Sequence, residues 1–328
     1  MSATVLSLKV ADVQQLNPLI RRFRLVAPDG AALPSFTAGA HLRVQVTLAD
    51  GRLDWRHYSL VNFSTDAAVT ENPTEYAIAV RLEGEGRGGS RFMHERVKPG
   101  DTLSIEAPKN EFPLRVLDGC AVMIAGGIGI TPITAMAAQR KAEGRPVRLH
   151  YAARSRSLMA FLPELQSLLS DDLQLHADDE AGRPLDIDAV LDGCESHDQL
   201  YVCGPKVMLD TVLAKTQARG WTHERVHFEL FTTPAAEGGD RPIEVVLAQS
   251  GKTLTVPAKQ TILDCLIEQG CDPLFDCKRG ECGVCSTTVI EGDIDHRDYF
   301  LSDAEKKSNK VMQICVSRSR SGRIVLDL

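Results

Sequence analysis

The sequence of 328 residues predicts three units in series: an antiparallel β-barrel, an α/β unit on a parallel sheet, and an α+β unit that closes on four cysteines. Three observations carry this reading. HLRVQVTL (His41–Leu48) and EYAIAVRLE (Glu75–Glu83) alternate apolar and polar residues with the period of half-buried strands. CAVMIAGG (Cys120–Gly127) is an unbroken apolar run ending in glycines, as a strand buried on both faces would be. Past residue 242, short alternating strands and one helix lead into a dense cysteine loop.

The first unit, residues 1–113, contains one short helix, opening at Ser90, and a VKPGD turn. The second unit, 114–231, alternates strands with helices, which implies an open parallel sheet. Its first helix is expected to be capped by Thr131, with Pro132 at the first helical position and Gly144 at the stop. RLHYAAR and LYVCGP are further strands, FLPELQSLL is a helix, and the helix after Pro205 stops at Gly220. TTPAAEGGDR (Thr232–Arg241) has no periodicity and reads as a linker. In the last unit, 242–328, a hairpin turns at Ser250–Gly251, and TILDCLIEQG is a helix capped by Thr261 and stopped by Gly270.

Composition narrows the class. The chain is 43% hydrophobic with net charge −7, and no basic run interleaves with aromatics, so nucleic acid is not an expected partner. No run of 18 apolar residues and no basic-then-apolar leader appear, so neither a membrane span nor secretion is expected. Nine cysteines, an odd number, favour a reducing compartment over a disulfide framework, and the expected location is the cytoplasm.

The most specific motif is Cys277-x4-Cys282-x2-Cys285 followed by Cys315, the spacing of a plant-type [2Fe–2S] site. Two sulfide-bridged irons need four thiolates around a compact core. Gly280 and Gly283 let the loop curl around it, with backbone N–H groups aimed at sulfur. Zinc sites favour paired C-x2-C units, and only one such unit occurs here. Cys120, Cys194, Cys265 and Cys271 read as small buried hydrophobes, and Cys203 is either that or a functional thiol.

Four further motifs are less specific. Arg56-His57-Tyr58-Ser59 ends a strand: an aromatic ring can stack on a flavin, a hydroxyl can meet its N5 and an arginine its phosphate, but such residues are often purely structural. Arg87-Gly88-Gly89-Ser90 opens a helix and is either a phosphate loop or a plain turn with a cap. Gly126-Gly127-Ile128-Gly129-Ile130-Thr131-Pro132 links a strand to a helix, as a dinucleotide loop does, but Pro132 stands where a third glycine is usual. Cys203-Gly204-Pro205 ends a later strand and supplies the other half of such a site.

In chain order, Arg56-x-Tyr58-Ser59, GGIGITP, CGP and C-x4-C-x2-C resemble the phthalate dioxygenase reductase and vanillate O-demethylase reductase family of the ferredoxin-NADP reductase superfamily, over essentially the whole chain. The segment DHRDYFLSDAEK and the final RIVLDL are also similar to reductases of carnitine monooxygenase type. The resemblance implies an antiparallel barrel that binds flavin, an α/β nicotinamide domain and a β-grasp ferredoxin domain. It implies that Arg56, His57, Tyr58 and Ser59 hold the flavin ring, and that Val80, Arg81, Arg87, Gly88, Gly89 and Ser90 line its phosphate. Phe231, or alternatively Phe228, would cover the ring. Gly127, Gly129, Thr131, Pro132, Gly204, Pro205 and Met208 would face the dinucleotide. Cys203 would lie at the nicotinamide and, with Ser59, would be closest to the chemistry.

Members of that family with the ferredoxin domain last carry FMN and those with it first usually carry FAD, so the resemblance implies FMN here more than FAD. The implied activity is hydride uptake from NADH by the flavin and single-electron delivery through the [2Fe–2S] cluster to a Rieske non-haem iron oxygenase, by a monomer. Arg154 and Arg156 follow the second strand of the α/β unit, so NADPH stays open. A stand-alone flavin or quinone reductase and a redox sensor are the alternatives. Residues 241–328 hold 12 Lys and Arg against 13 Asp and Glu, so a tethered ferredoxin unit needs no strong charge to find its reductase. Lys278 and Arg279 either meet an acidic patch on the oxygenase or are ordinary loop charges.

Overall fold

A computed structural model describes residues 4–84, 88–115, 118–231 and 239–328. The chain divides into two compact units, Met1–Glu229 and Leu230–Leu328.

The first unit opens with six antiparallel strands: β1 (Val5–Asn17), β2 (Ile20–Val26), β3 (His41–Thr47), β4 (Leu53–Ser59), β5 (Glu75–Arg81) and β6 (Thr102–Lys109), in the order β4-β3-β6-β1-β2-β5. Residues just past β4 close the barrel onto β5, where Leu60 bridges Ile78 and the Val61 N–H donates to Ala77 at 2.8 Å. The period of two is visible in β3, whose Leu42, Val44 and Val46 are at most 1% exposed. Each such side chain contributes about 1.5–3 kcal/mol by leaving water. Two short helices, α1 (Ala68–Glu71) and α2 (Gly89–Glu95), complete this part. α2 starts one residue before Ser90, because Gly88 (φ +95°) takes the left-handed cap that a Cβ would resist.

The same unit continues as a parallel sheet of β7 (Ala121–Gly126), β8 (Val147–Ala153), β9 (Leu173–Ala177), β10 (Gln199–Cys203) and β11 (Val226–Glu229), in the order β11-β10-β7-β8-β9. Its helices are α3 (Ile130–Ala142), α4 (Leu162–Leu169), α5 (Asp178–Ala181), α6 (Ile187–Asp192) and α7 (Lys206–Ala218). Every residue of β7 is buried, as its unbroken apolar run requires. α3 departs from expectation at its start. A 3-10 turn over Gly127–Gly129 leads into it, so Thr131 lies inside the first turn and is not the cap. The Thr131 hydroxyl donates to the Ile128 carbonyl at 3.0 Å. Pro132 falls where a helical N–H has no partner in any case. Barrel and sheet are joined by the Asn62 N–H to Thr134 Oγ1 (3.3 Å) and by the Asn17 amide to the Leu158 carbonyl (2.9 Å).

The second unit is α+β. β12 (Ile243–Leu247), β13 (Thr253–Val256), β14 (Ser286–Glu291), β16 (Val311–Gln313) and β18 (Arg323–Leu326) form a sheet in the order β13-β12-β18-β14-β16, while β15 (Ile294–Asp295) pairs with β17 (Arg318–Ser319). α8 (Ile262–Glu268) buries Ile262, Leu263 and Leu266 in a core with Val245, Ile324 and Leu326. Thr261 caps it through the Asp264 N–H at 2.9 Å. α9 (Asp303–Ser308) carries a full capping box between Ser302 and Glu305.

Of the expected linker, residues 232–238 lie outside the described residues. Its far end is not loose. Asp240 takes a two-pronged ion pair from Arg297 at 2.9 and 2.5 Å, and the Arg241 carbonyl accepts from Arg318 at 3.0 Å. Among the described residues no helix is long and apolar enough to cross a membrane.

Candidate functional site

β7 and β10 are parallel neighbours with Ala125 opposite Cys203, so the two glycine motifs leave the sheet side by side at its carboxyl edge. From β7 the chain crosses over to β8 on one side, and from β10 it crosses to β11 on the other, so the chain order reverses between β7 and β10, where open α/β sheets bind ligands. The loops touch backbone to backbone. A Cβ on Gly129 would stand 2.1 Å from the Cys203 carbonyl oxygen, and one on Gly126 would stand 2.6 Å from Pro205 Cδ and 2.9 Å from Met208 Sδ. Met208 also covers Gly204, whose Cβ would be 3.0 Å from its sulfur. Cys203 is fully buried and Gly127 holds φ +55°. The Thr131 hydroxyl is engaged by Ile128, so Thr131 staples the turn, and Pro132 is buried beside it.

Two residues that the sequence did not single out belong to this edge. The buried Tyr151 phenol donates to the Gly127 carbonyl at 3.2 Å and accepts the Ala160 N–H at 2.9 Å. Burial raises its pKa, which keeps it a donor. Glu229 stands opposite Cys203 in the β10–β11 register and is 4% exposed. Neither carries a local signal, since a tyrosine or glutamate in a strand is unremarkable until its neighbours are known. Arg156 is held by Glu180 through two contacts of 3.0 Å, while Arg154 is exposed.

The barrel contributes the second part. Arg56 lies across Gly89, where a Cβ would be 2.8 Å from its Nε. Strand β4 and the start of α2 are thereby brought together. Arg56 Nη1 binds Asp54 at 2.5 Å and the Trp55 carbonyl at 2.9 Å, whereas Nη2 is buried without a partner among the described residues. Ser59 is 3% exposed and its Oγ likewise has none. Tyr58 packs on the barrel core, and burial raises its phenol pKa. The His57 ring stacks on His41 with centroids 4.7 Å apart.

Around the expected phosphate loop, Ser90 Oγ accepts the Glu83 N–H at 3.0 Å and keeps its own proton to donate. Arg81 pairs with Glu83 at 2.6 Å, and Arg87 lies outside the described residues. Val80 is core, and its carbonyl meets the His94 Nε2 at 2.8 Å, so it offers a wall and not a hydrogen bond. Two buried polar atoms without a partner among the described residues, Ser59 Oγ and Arg56 Nη2, are what the polar edge and phosphate of a flavin would satisfy. Phe228 sits on β11 opposite Val202, and Phe231 falls in the second unit.

In that second unit the loop from Cys277 to Cys285 curls through three left-handed residues, Lys278 (φ +55°), Gly280 (φ +80°) and Gly283 (φ +75°). Cys315 comes from beyond β16. The four thiols fall into two pairs, Cys277 with Cys282 and Cys285 with Cys315. The Cys282 thiol, and after it N–H groups of Arg279, Glu281 and Cys282, lower the Cys277 pKa. The Arg279 N–H reaches Cys277 Sγ at 3.3 Å. Contact with Cys315, then N–H donors, lowers Cys285. Two pairs of thiols with backbone N–H donors to their sulfurs fit a cluster of two irons. Lys278 pairs with Asp264 at 2.9 Å, and the buried Arg279 pairs with Glu281 at 3.1 Å. Both cations flagged as contacts for an acidic partner are therefore engaged within the unit.

Comparison with known proteins agrees with this division. Residues 123–214 match the family model of the oxidoreductase NAD-binding domain, and residues 245–320 match that of the 2Fe-2S iron-sulfur cluster binding domain. The chain is 37% identical over 319 residues to a carnitine monooxygenase reductase subunit of Acinetobacter baumannii, covering 97% of this chain and 96% of that one. It is 38% identical over 326 residues to a heme-dependent oxidative N-demethylase beta subunit of Ectopseudomonas mendocina, covering 99% of this chain and 100% of that one. The crystal structure of phthalate dioxygenase reductase aligns with a TM-score of 0.74 at 36% identity, over 99% of this chain and 98% of that one.

Proposed function

This chain belongs to the phthalate dioxygenase reductase family of multidomain oxidoreductases, with an NAD-binding domain and a C-terminal 2Fe-2S domain, and we propose that it is the NADH-dependent reductase of a Rieske-type oxygenase system. The observation that carries the reading is one chain holding both a dinucleotide crevice and four thiols set two and two. FMN, when bound, supplies the step-down from a hydride to single electrons, and the cluster supplies the one-electron outlet.

The protein's own residues do the positioning. Gly126, Gly129 and Gly204 clear the crevice floor, and Tyr151 holds the Gly127 carbonyl in place. Cys203 and Glu229 border the nicotinamide, Ser59 meets the flavin edge, and Arg56 with Ser90 takes its phosphate. Cys277, Cys282, Cys285 and Cys315 ligate the cluster. Glu180 engages Arg156, which leaves the exposed Arg154 as the arginine that a 2′-phosphate would meet. The working form is a cytoplasmic monomer with flavin and nicotinamide functions before residue 232 and the ferredoxin function after residue 241.

Cofactor analysis of the purified protein tests this directly. We expect two irons and one FMN per chain. Zinc in place of iron, or FAD as the extracted flavin, rejects the corresponding assignment. A chain ending at Phe231 is expected to keep NADH-driven ferricyanide reduction and lose cytochrome c reduction. Failure of that shortened chain to bind flavin would refute the proposed boundary.

A further inference from the structure

Gln313 is a fully buried amide set against one of the four cysteines. It ends β16, is 0% exposed, and stands opposite Ser286 in the β14–β16 register. Ser286 directly follows Cys285. The Gln313 side chain bridges these two residues, with Oε1 at 3.3 Å from Cys285 Sγ and Nε2 at 2.6 Å from Ser286 Oγ. Its backbone carbonyl accepts the N–H of Val316 at 3.2 Å and of Ser317 at 2.9 Å, closing the turn that carries Cys315. One residue thus shapes the Cys315 turn with its main chain and meets Cys285 with its side chain.

Which end of the amide faces the sulfur follows from the charge on that sulfur. As a thiol, Cys285 donates to Oε1. As an iron ligand it is a thiolate, which has no proton to give and repels an amide oxygen. A half-turn about the last side-chain bond exchanges the two ends without moving anything else. Nε2 then donates to Cys285 Sγ, and Oε1 accepts the Ser286 hydroxyl proton. Ser286 can serve either arrangement because a hydroxyl both donates and accepts. The proton it would turn to Oε1 otherwise goes to the Gly283 carbonyl at 2.7 Å, and Ser286 is exposed, so water can replace that bond.

Resting on the reading of the four cysteines as ligands of a [2Fe–2S] cluster, we infer that the Gln313 amide donates a hydrogen bond to Cys285 Sγ and is the positioning residue that raises the cluster's reduction potential. Reduction adds negative charge that spreads onto the sulfurs, so a donor aimed at sulfur stabilises the reduced form more than the oxidised one. Burial strengthens the effect, because little water competes for the same sulfur. The backbone donors of the loop are present whatever the side chains are. The Gln313 donor belongs to a side chain, so a single substitution removes it. Gln313 therefore sets how readily the cluster accepts an electron from the flavin and how strongly it reduces its own acceptor.

The test uses the full chain loaded with flavin and cluster. Gln313→Met keeps the length and bulk of the side chain and removes both ends of the amide. A redox titration followed by the electron paramagnetic resonance of the reduced cluster should show its reduction equilibrium shifted toward the oxidised form about fivefold or more, a midpoint lower by about 40 mV at about 59 mV per tenfold. Iron per chain should not change. Protein made with glutamine carrying nitrogen-15 in its side-chain amide gives a second readout. Pulsed resonance of the reduced wild-type cluster should show a weak nitrogen-15 coupling that Gln313→Met lacks. That coupling, read on the wild type against unlabelled protein, decides the matter should Gln313→Met fail to hold its cluster. A glutamine that only packs would leave the midpoint where it is. An unchanged midpoint in a Gln313→Met chain with full iron, or no nitrogen-15 coupling in the wild type, would overturn the hydrogen bond. A wild-type chain with iron but no resonance from a reduced two-iron cluster would instead overturn the reading of the cysteines.

Discussion

A methyl group on Gly129 would stand 2.1 Å from the carbonyl oxygen of Cys203, a distance no Cβ tolerates. The two loops of the proposed dinucleotide crevice thus meet only because one of them lacks a side chain at that point. Gly129→Ala must push β7 and β10 apart at their ends or tilt the first turn of α3. We expect a loss of about 1–3 kcal/mol in stability, typical of overpacking. NADH affinity should fall with it, as measured by thermal unfolding and by titration of the oxidised protein. A variant with wild-type melting and NADH binding would contradict the geometry.

Cys203 separates a packing role from a positioning one. If the thiol orients nicotinamide, Cys203→Ala lowers the stopped-flow rate of flavin reduction by NADH about tenfold, or about 1.4 kcal/mol of transition-state stabilisation. Transfer from prereduced flavin to the cluster should not change. If the thiol only fills space, the variant loses stability and keeps its hydride-transfer rate, and the functional assignment fails.

Arg56 reaches a buried place with one guanidinium nitrogen unpartnered among the described residues. Arg56→Lys keeps the charge but cannot present a fork while lying flat on Gly89. The loss of one charged hydrogen bond, about 1.5–3 kcal/mol, weakens flavin binding by one to two orders of magnitude. Flavin content per chain after desalting reports it directly. Full retention of flavin by the lysine variant would rule the contact out.

Acid should destabilise the first unit through His150 and His227. Burial first, then the neighbouring Arg148 and Arg115 respectively, lowers each to about 4. Both pKa values lie below the ordinary histidine value, so below about pH 6.5 the unfolded chain binds protons that the native form refuses. Stability is therefore complete above that pH and declines as the pH falls toward 4, by up to about 1.4 kcal/mol per pH unit for each histidine. The two tryptophans, Trp55 and Trp221, both lie in this unit, so urea unfolding followed by tryptophan fluorescence isolates it. Replacing both histidines by Gln should flatten the slope. An unchanged slope would assign the acid sensitivity to other groups.

Much of the fold is legible in the sequence because the relevant signals are local. Alternation in HLRVQVT, the apolar run of β7, the Thr261 cap and the Gly144, Gly220 and Gly270 stops (φ +62°, +71° and +74°) depend only on residues a few positions apart. The start of α3 departs from its local pattern. Thr131 and Pro132 suit a helix start in isolation, but the strand delivers the chain in a 3-10 turn that begins the helix earlier. The far end of the expected linker has a composition that suggests freedom, yet Arg297, more than fifty residues away in sequence, holds Asp240, and no local pattern announces that pair.

By itself the sequence determined the order of the units, the strand and helix periods, and the chemistry of C-x4-C-x2-C with its distant fourth cysteine. Those follow from spacing along one chain, where stereochemistry acts between near neighbours. Only the tertiary structure decided which groups meet. It set Gly129 against Cys203, laid Arg56 across Gly89, placed Tyr151 under the Gly127 carbonyl, and sorted four thiols into two pairs. It also spent Lys278 and Arg279 on carboxylates of their own unit. Those outcomes depend on strand order and on which side chains face one another across long loops, and no local pattern of residue types encodes either.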